Sequence, residues 1–227
     1  MKICKQRKQQ LIVFIVVLMG VSVGTSTSTA FELSQNSGAD AKMQIIINHG
    51  TGKADLPAAT AAFKWLHQAA TNGDARAQSW LGKIYYEGKN YKESKRWYEA
   101  AAQGNDVNAQ YNFGYFLLNG IGAAPDESSA AQWFEKAAIK GYTLAQLNLA
   151  NMYWFGRGLT QNYDLAIKWY RKAANGKNTM AYYQLGQAYE RGLGVEKNKG
   201  QAEMWYQKAL DGGLIDARTA LDRLKAA

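Results

Sequence analysis

Ala41, Ala77, Ala109, Ala145, Ala181 and Ala217 stand 36, 32, 36, 36 and 36 residues apart. Trp65, Trp97, Trp133, Trp169 and Trp205 stand 32, 36, 36 and 36 apart. Two unrelated residue types share one period and one four-residue deletion, which marks an internal repeat. A repeat of this length restricts the fold severely. Each copy is one supersecondary unit that cannot bury its apolar side alone, so the copies must stack and each must cover its neighbours.

The stretch Leu144 to Thr179 shows the unit clearly. It reads as a first helix over about 144–155, a turn starting at Gly156-Arg157-Gly158, and a second helix over about 163–174. Leu81, Phe113, Leu149, Leu185 and Leu221 lie four residues after the alanine, followed by Gly82, Gly114, Ala150 and Gly186. A small residue there is expected to let the paired helix approach. Gly88, Gly120, Gly156 and Gly192 end the first helix, where a left-handed residue is wanted. Asn90, Asp126, Asn162 and Asn198 stand seven before the tryptophan and suit an N-cap of the second helix. The chain's two prolines, Pro57 and Pro125, fall eight before a tryptophan, just outside the second helix. The tryptophan, the largest ring available, is expected to fill the biggest gap in each layer.

The run Gly192-Leu193-Gly194-Val195, followed by Ala202, Trp205, Tyr206 and Ala209, resembles the Sel-one-like repeat, a branch of the tetratricopeptide superfamily. The resemblance covers Ala41 to the C-terminus. It implies an all-α fold, an α-solenoid with a right-handed superhelix, built from about five helix-turn-helix repeats and a C-terminal capping helix. The expected repeats are 41–76, 77–108, 109–144, 145–180 and 181–216, with 217–227 as the cap. The second copy lacks the turn insertion and reads Gly88-Lys89-Asn90, closer to a plain tetratricopeptide. The first copy has Ile46 where glycine is usual and His49 where tyrosine is usual. The resemblance further implies protein binding rather than catalysis, with the first helices lining a concave groove.

Residues 1–30 read as a secretory signal peptide, with Lys2, Lys5, Arg7 and Lys8 ahead of the apolar run Leu11 to Val23 and the small residues Ser28-Thr29-Ala30 after it. Residues 31–40 read as a linker. Export to the periplasm or beyond is therefore expected, and an uncleaved inner-membrane anchor is the alternative. Cys4, the only cysteine, lies in the signal, so the mature chain would carry none. Removing the signal takes four cations from a formal +9, leaving 23 bases and 18 acids. Lys92, Lys95, Arg96, Lys136, Lys140, Lys168, Arg171 and Lys172 fall on second helices and read as a solvated outer face. No nucleic-acid partner and no stable membrane span after cleavage are expected; weak attraction to anionic surfaces stays open.

No catalytic constellation is legible. His49 and His67 have no accompanying ligands at metal spacing, so no metal and no cofactor are expected. The Gly-x-Gly turns recur in most repeats and lack a phosphate-loop signature. A hydrolase reading has no nucleophile to carry it. A surface remains. Taken one before the alanine and two, six, nine and ten after it, the first-helix residues share a face turned from the apolar stripe. The residues expected to bind a protein or peptide are Tyr86, Tyr111, Tyr115, Asn119, Leu147, Asn151, Trp154, Phe155, Tyr183, Gln187 and Arg191. Tyr111, Tyr115, Leu147, Trp154 and Phe155 would form an exposed apolar patch. Two narrower roles are alternatives: neutralising a toxic effector delivered to the periplasm, and scaffolding or host contact at the envelope.

Overall fold

The computed structural model describes residues 38–50 and 56–226; the expected signal peptide lies outside the described residues. Those residues form eleven helices and no strand: α1 (Gly38–Gly50), α2 (Leu56–Thr71), α3 (Ala75–Glu87), α4 (Tyr91–Gln103), α5 (Val107–Asn119), α6 (Glu127–Ile139), α7 (Thr143–Phe155), α8 (Tyr163–Asn175), α9 (Thr179–Arg191), α10 (Lys199–Asp211) and α11 (Asp216–Ala226). This is an all-α solenoid of helical repeats, in which α2, α4, α6, α8 and α10 are the second helices. The chain divides into two compact units within α5, after Phe113. In the first unit α1 packs on α2, α2 on α3, α3 on α4, and α1 also meets α3. In the second, each of α6 to α10 packs on the next.

The opening alanines Ala77, Ala109, Ala145, Ala181 and Ala217 are fully buried, as are Leu81, Leu149 and Leu185 four residues on. The layer-filling ring, however, is not the tryptophan. It is the next residue: Tyr98, Phe134, Tyr170 and Tyr206 are all buried. Each small residue seats such a ring. A Cβ on Gly82 would lie 2.6 Å from the Tyr98 ring, and one on Gly186 2.5 Å from the Tyr206 ring. Trp65 is 37% exposed, and Trp133, Trp169 and Trp205 are only half-buried; Trp97 alone of the five is a core ring. In the other copies the indoles lie about 100° round the helix from the buried residue that follows each, and take the flank of the buried face. Their outer faces are covered by lysines one turn along: Lys136 sits 3.7 Å over Trp133, Lys172 4.0 Å over Trp169 and Lys208 4.6 Å over Trp205.

Side-chain amides join successive layers. Gln78, Gln110 and Gln146, each following the opening alanine, donate to the carbonyls of Ala70, Ala102 and Ala138 at 2.9, 3.4 and 3.1 Å. Those carbonyls end the preceding second helix, and each also accepts from the backbone N–H three residues on. Asn90, Asp126, Asn162 and Asn198 cap the second helices as expected, each accepting from the backbone N–H three residues on. Asp74, Asp106 and Asn178 do the same for first helices, accepting from Ala77, Ala109 and Ala181.

Two features of the early copies differ from expectation. Ala41 is exposed, and the buried positions of α1 are Ala39, Met43 and Ile46, which match Ala77, Leu81 and Ile84 in spacing. The first copy is therefore registered two residues earlier than its alanine suggests, and its helix starts at Gly38, inside the expected linker. Met43 and Ile46 choose the face because their burial outweighs that of one alanine. In the shortened second copy Gly88 is not left-handed (φ −75); Lys89 takes that conformation instead (φ 58). Where the four extra residues are present, Gly120, Gly156 and Gly192 are left-handed as expected.

The last layer is closed by α11, which buries Ala217, Ala220, Leu221 and Leu224. Arg223 reaches from α11 to the carboxylate of Glu190 on α9 at 2.8–3.1 Å, and the Tyr206 hydroxyl donates to the same carboxylate at 2.6 Å. Burial pushes Glu190 up, but the hydrogen bonds from Arg223 and Tyr206 outweigh it and hold the carboxyl below its ordinary value of 4.5. A depressed carboxylate pKa contributes stability above the unfolded value and loses it as pH falls through the folded value. Melting temperature is thus expected to drop between about pH 5 and pH 3, with a smaller drop in Arg223→Ala than in wild type. An identical drop in both would remove this pair from the cap.

Candidate functional site

Among the described residues, no group of three or more His, Cys, Asp or Glu is placed to hold a metal. His67 is exposed and lies edge-on to Trp97 at 5.7 Å. Each unit carries a surface feature on its first helices.

In the first unit, α3 and the start of α5 enclose a cavity of about 300 Å³ lined by Arg76, Ser79, Trp80, Lys83, Tyr98, Asn108 and Asn112. Its electrostatics centre on Arg76, which donates from Nε to Asp40 at 2.8 Å and from Nη1 to Asp106 at 3.4 Å. Asp40 also accepts from the Trp80 indole, and Asp106 also caps α5. One guanidinium thus ties α1, α3 and the start of α5. Asp40's hydrogen bond raises the Arg76 pKa against the opposing effect of burial. Lys83 lies 5.3 Å over the Trp80 ring and 3.9 Å from Glu87. Burial pushes Glu87 up, with Lys83 opposing it.

In the second unit the first helices expose several large apolar side chains. Tyr115 on α5, Leu144 and Phe155 on α7, and Met180 on α9 are exposed, Phe155 to 60%. Leu144, Leu147, Asn151 and Phe155 share one face of α7 by helical spacing.

The residues expected from sequence divide three ways. Tyr86, Tyr115, Asn119, Phe155 and Arg191 are exposed, although Asn119 donates to the Tyr115 carbonyl of its own helix at 2.8 Å. Tyr111, Leu147, Asn151, Tyr183 and Gln187 are half-buried. Of these, Asn151 accepts from the Tyr170 hydroxyl at 2.7 Å, and the Tyr183 ring packs 5.3 Å from Tyr206. Trp154 is only 4% exposed, so it is a core ring and not an exposed anchor. The four-residue turn explains this. It brings Tyr163 edge-on to the indole at 4.9 Å, with Tyr170 at 5.9 Å, and Gln161 donates to the Trp154 carbonyl at 2.8 Å. Trp154 therefore leaves the set of exposed first-helix residues, and Leu144 and Met180 are exposed in addition.

Trp80 and Asn112 line the cavity but were missed from sequence. They stand three after the opening alanine, where the other copies have Asn148 and Gln184. In these four copies that position holds a polar or indole side chain, a usable signal, although the capping helix buries Ala220 there.

The sequence matches the Sel1 repeat family over five consecutive segments, residues 48–74, 75–106, 107–142, 143–178 and 179–214. A comparison with curated proteins returned no match. Two solved structures are similar. A Sel1 repeat protein from Oxalobacter formigenes shares 31% identity, covering 72% of this chain and 49% of its own, with a TM-score of 0.64. The second is c5321, described as a protective antigen present in uropathogenic Escherichia coli strains displaying an SLR fold. It shares 28% identity over 97% of this chain and 49% of its own, with a TM-score of 0.74. The chain thus spans about half the length of the solved structures it matches, 49% of each.

Proposed function

The chain belongs to the Sel1 repeat family, whose members generally mediate protein–protein interaction, and on that premise we propose that it is a non-enzymatic, exported module that holds a protein or peptide on its first-helix faces. The observation that carries the reading is the apolar surface of the second unit. Tyr115, Leu144, Phe155 and Met180 are exposed on its first helices, in addition to Ile139, Met204 and Ile215 elsewhere on the unit. Exposed clusters of this kind mark interaction sites, and aromatic residues are their usual anchors.

Co-purification with the tagged full chain, followed by mass spectrometry, tests the assignment. Phe155→Ala and Leu144→Asp are expected to keep the helical circular-dichroism spectrum and lower partner recovery at least about tenfold, the size of an ordinary interface anchor. If both variants fold and recover the partner in full, the binding face lies elsewhere.

Export is part of the same proposal. It rests on the sequence of residues 1–30, and N-terminal sequencing of the mature protein from cell fractions tests it, with Phe31 as the expected first residue. A second reading, contact with a host at the envelope, draws on the similarity to c5321, itself described as a protective antigen. Protease treatment of intact cells separates the two: a surface-exposed chain is cleaved and a periplasmic one is protected.

A further inference from the structure

Charge is unevenly placed in the second unit. From Lys136 to Tyr189 the sequence carries seven cations and a single acid, Asp164. The cations concentrate on α8. Lys168, Arg171 and Lys172 stand at i, i+3 and i+4, so they share one face of that helix. Lys177 follows in the turn just after its C-cap, Gly176. All four residues are exposed, and none makes an ion pair among the described residues. Arg171 donates to the neutral Tyr189 hydroxyl at 2.9 Å, and Lys172 rests on the Trp169 ring. Asp164, four residues before Lys168, makes no ion pair either.

The other copies show that packing does not require these charges. At the position of Lys168 the neighbouring copies have Gln132 and Met204; at that of Arg171 they have Glu135 and Gln207. Lys177 is the sharpest case. Its φ is +60, in the left-handed region, and the same turn position is held by Gly73, Asn105, Gly141 and Gly213 in the other copies. Glycine and asparagine enter that region at little cost, whereas lysine does not. The favourable field of a helix C-terminus does not account for it, because α8 already has Lys172 in its last turn. Here the chain accepts backbone strain and gains a fourth cation beside three others.

Four cations without counter-charge favour an anion, and their layout favours a spread one. They extend over roughly 14 Å, at about 1.5 Å of rise per residue. Three of the four are lysines, point charges without the fork that matches a single carboxylate or phosphate. No acid lies among them to fix the register of a folded protein's own charges. The indole beneath Lys172 is of the kind enriched at a lipid–water boundary.

We propose that the α8 face carrying Lys168, Arg171, Lys172 and Lys177 docks on the anionic headgroups of a phospholipid bilayer. None of the four lies on a first helix, so this site is separate from the side chains that hold a protein in the reading above. Docking here is independent of that reading.

Co-sedimentation of the full chain with vesicles is the test. One set is phosphatidylcholine alone, and the other contains about 30 mol % phosphatidylglycerol, which gives a negative surface. The chain is expected to bind the anionic set at least about tenfold better and to lose that preference at about 0.5 M salt. The apolar N-terminal run and its four cations are common to all variants, so the variants isolate α8. Each cation supplies up to about fivefold, so Lys168→Gln with Arg171→Gln should lower anionic binding about tenfold or more. Lys177→Gly should lower it several-fold while keeping or raising the melting temperature, because the strain leaves with the charge. A merely structural lysine would not separate the two readouts. Lys199→Gln with Lys225→Gln, which removes as much charge elsewhere, should change binding little. Equal binding to both vesicle sets, or equal losses in the two double variants, overturns the site. So does an acidic protein whose co-purification the α8 variant loses while vesicle binding is unchanged, a result that gives this face to a protein instead.

Discussion

Tyr170→Ala is expected to be the most damaging single truncation in the second unit, costing about 3–5 kcal/mol, as for a large aromatic removed from a packed core. The ring has no exposure at all. It lies among Ala150, Ala166, Leu185 and Trp154 in one cluster, and its hydroxyl donates to Asn151 at 2.7 Å. Removing it opens a void in a layer whose neighbours are mostly alanines and cannot expand to fill it. At roughly 2–4 °C per kcal/mol for a chain of this size, the melting temperature should fall by about 6–20 °C. Trp169→Ala, one residue earlier, should cost about half as much, because the indole is half-exposed and rests under Lys172. Tyr170→Phe should cost only about 1 kcal/mol, the worth of its hydrogen bond. Thermal denaturation of the three variants gives the ranking directly. A Trp169→Ala loss equal to that of Tyr170→Ala would return the tryptophan to the centre of the layer.

Gly158→Ala is the second large effect. Gly158 has φ +66, and a Cβ there would lie 2.4 Å from the Glu127 backbone at the start of α6. The close neighbour is main chain in a helical first turn, so no side chain can rotate away. The substitution combines about 1–2 kcal/mol for a left-handed non-glycine residue with about 1–3 kcal/mol of overpacking. Gly156, two residues earlier, is a good control. It is also left-handed (φ +68), but its nearest neighbour would be the Gln161 side chain at 3.3 Å. Gly156→Ala should therefore show the conformational cost alone. The same argument extends to Gly194, where a Cβ would meet the Tyr163 backbone at 2.7 Å. The second glycine of the turn is thus an inter-repeat contact. It lets the turn of one repeat lie on the first residue of the preceding second helix, and in the Gly158 copy Arg157 reinforces the contact by bonding Glu127.

Much of the architecture was legible because the fold is local and repeated. Period, helix pairing, the small residues at Gly82, Gly114 and Gly186 and the second-helix caps at Asn90, Asp126, Asn162 and Asn198 each involve residues close in sequence. Side-chain direction one position either way was less legible. Both members of Trp169-Tyr170 are large and aromatic, and periodicity alone does not say which faces in. The seat left by Ala150 on α7 decides it, and it accepts the tyrosine. Trp154 shows the same limit: its exposure depends on a turn that folds Gln161 and Tyr163 back over it. In the first copy, Ala41 suggested one register while Met43 and Ile46 imposed another.

The amino-acid order alone established the repeat, the helical class and the kinship, because a 36-residue period leaves a chain no other way to bury its apolar faces. Tertiary packing alone decided which aromatic of each pair forms the core, which supposed anchors are covered, and that Arg76, Lys83, Asn108 and Asn112 converge on one cavity. The physical reason is that burial belongs to the space between helices, and that space exists only once neighbouring repeats have docked.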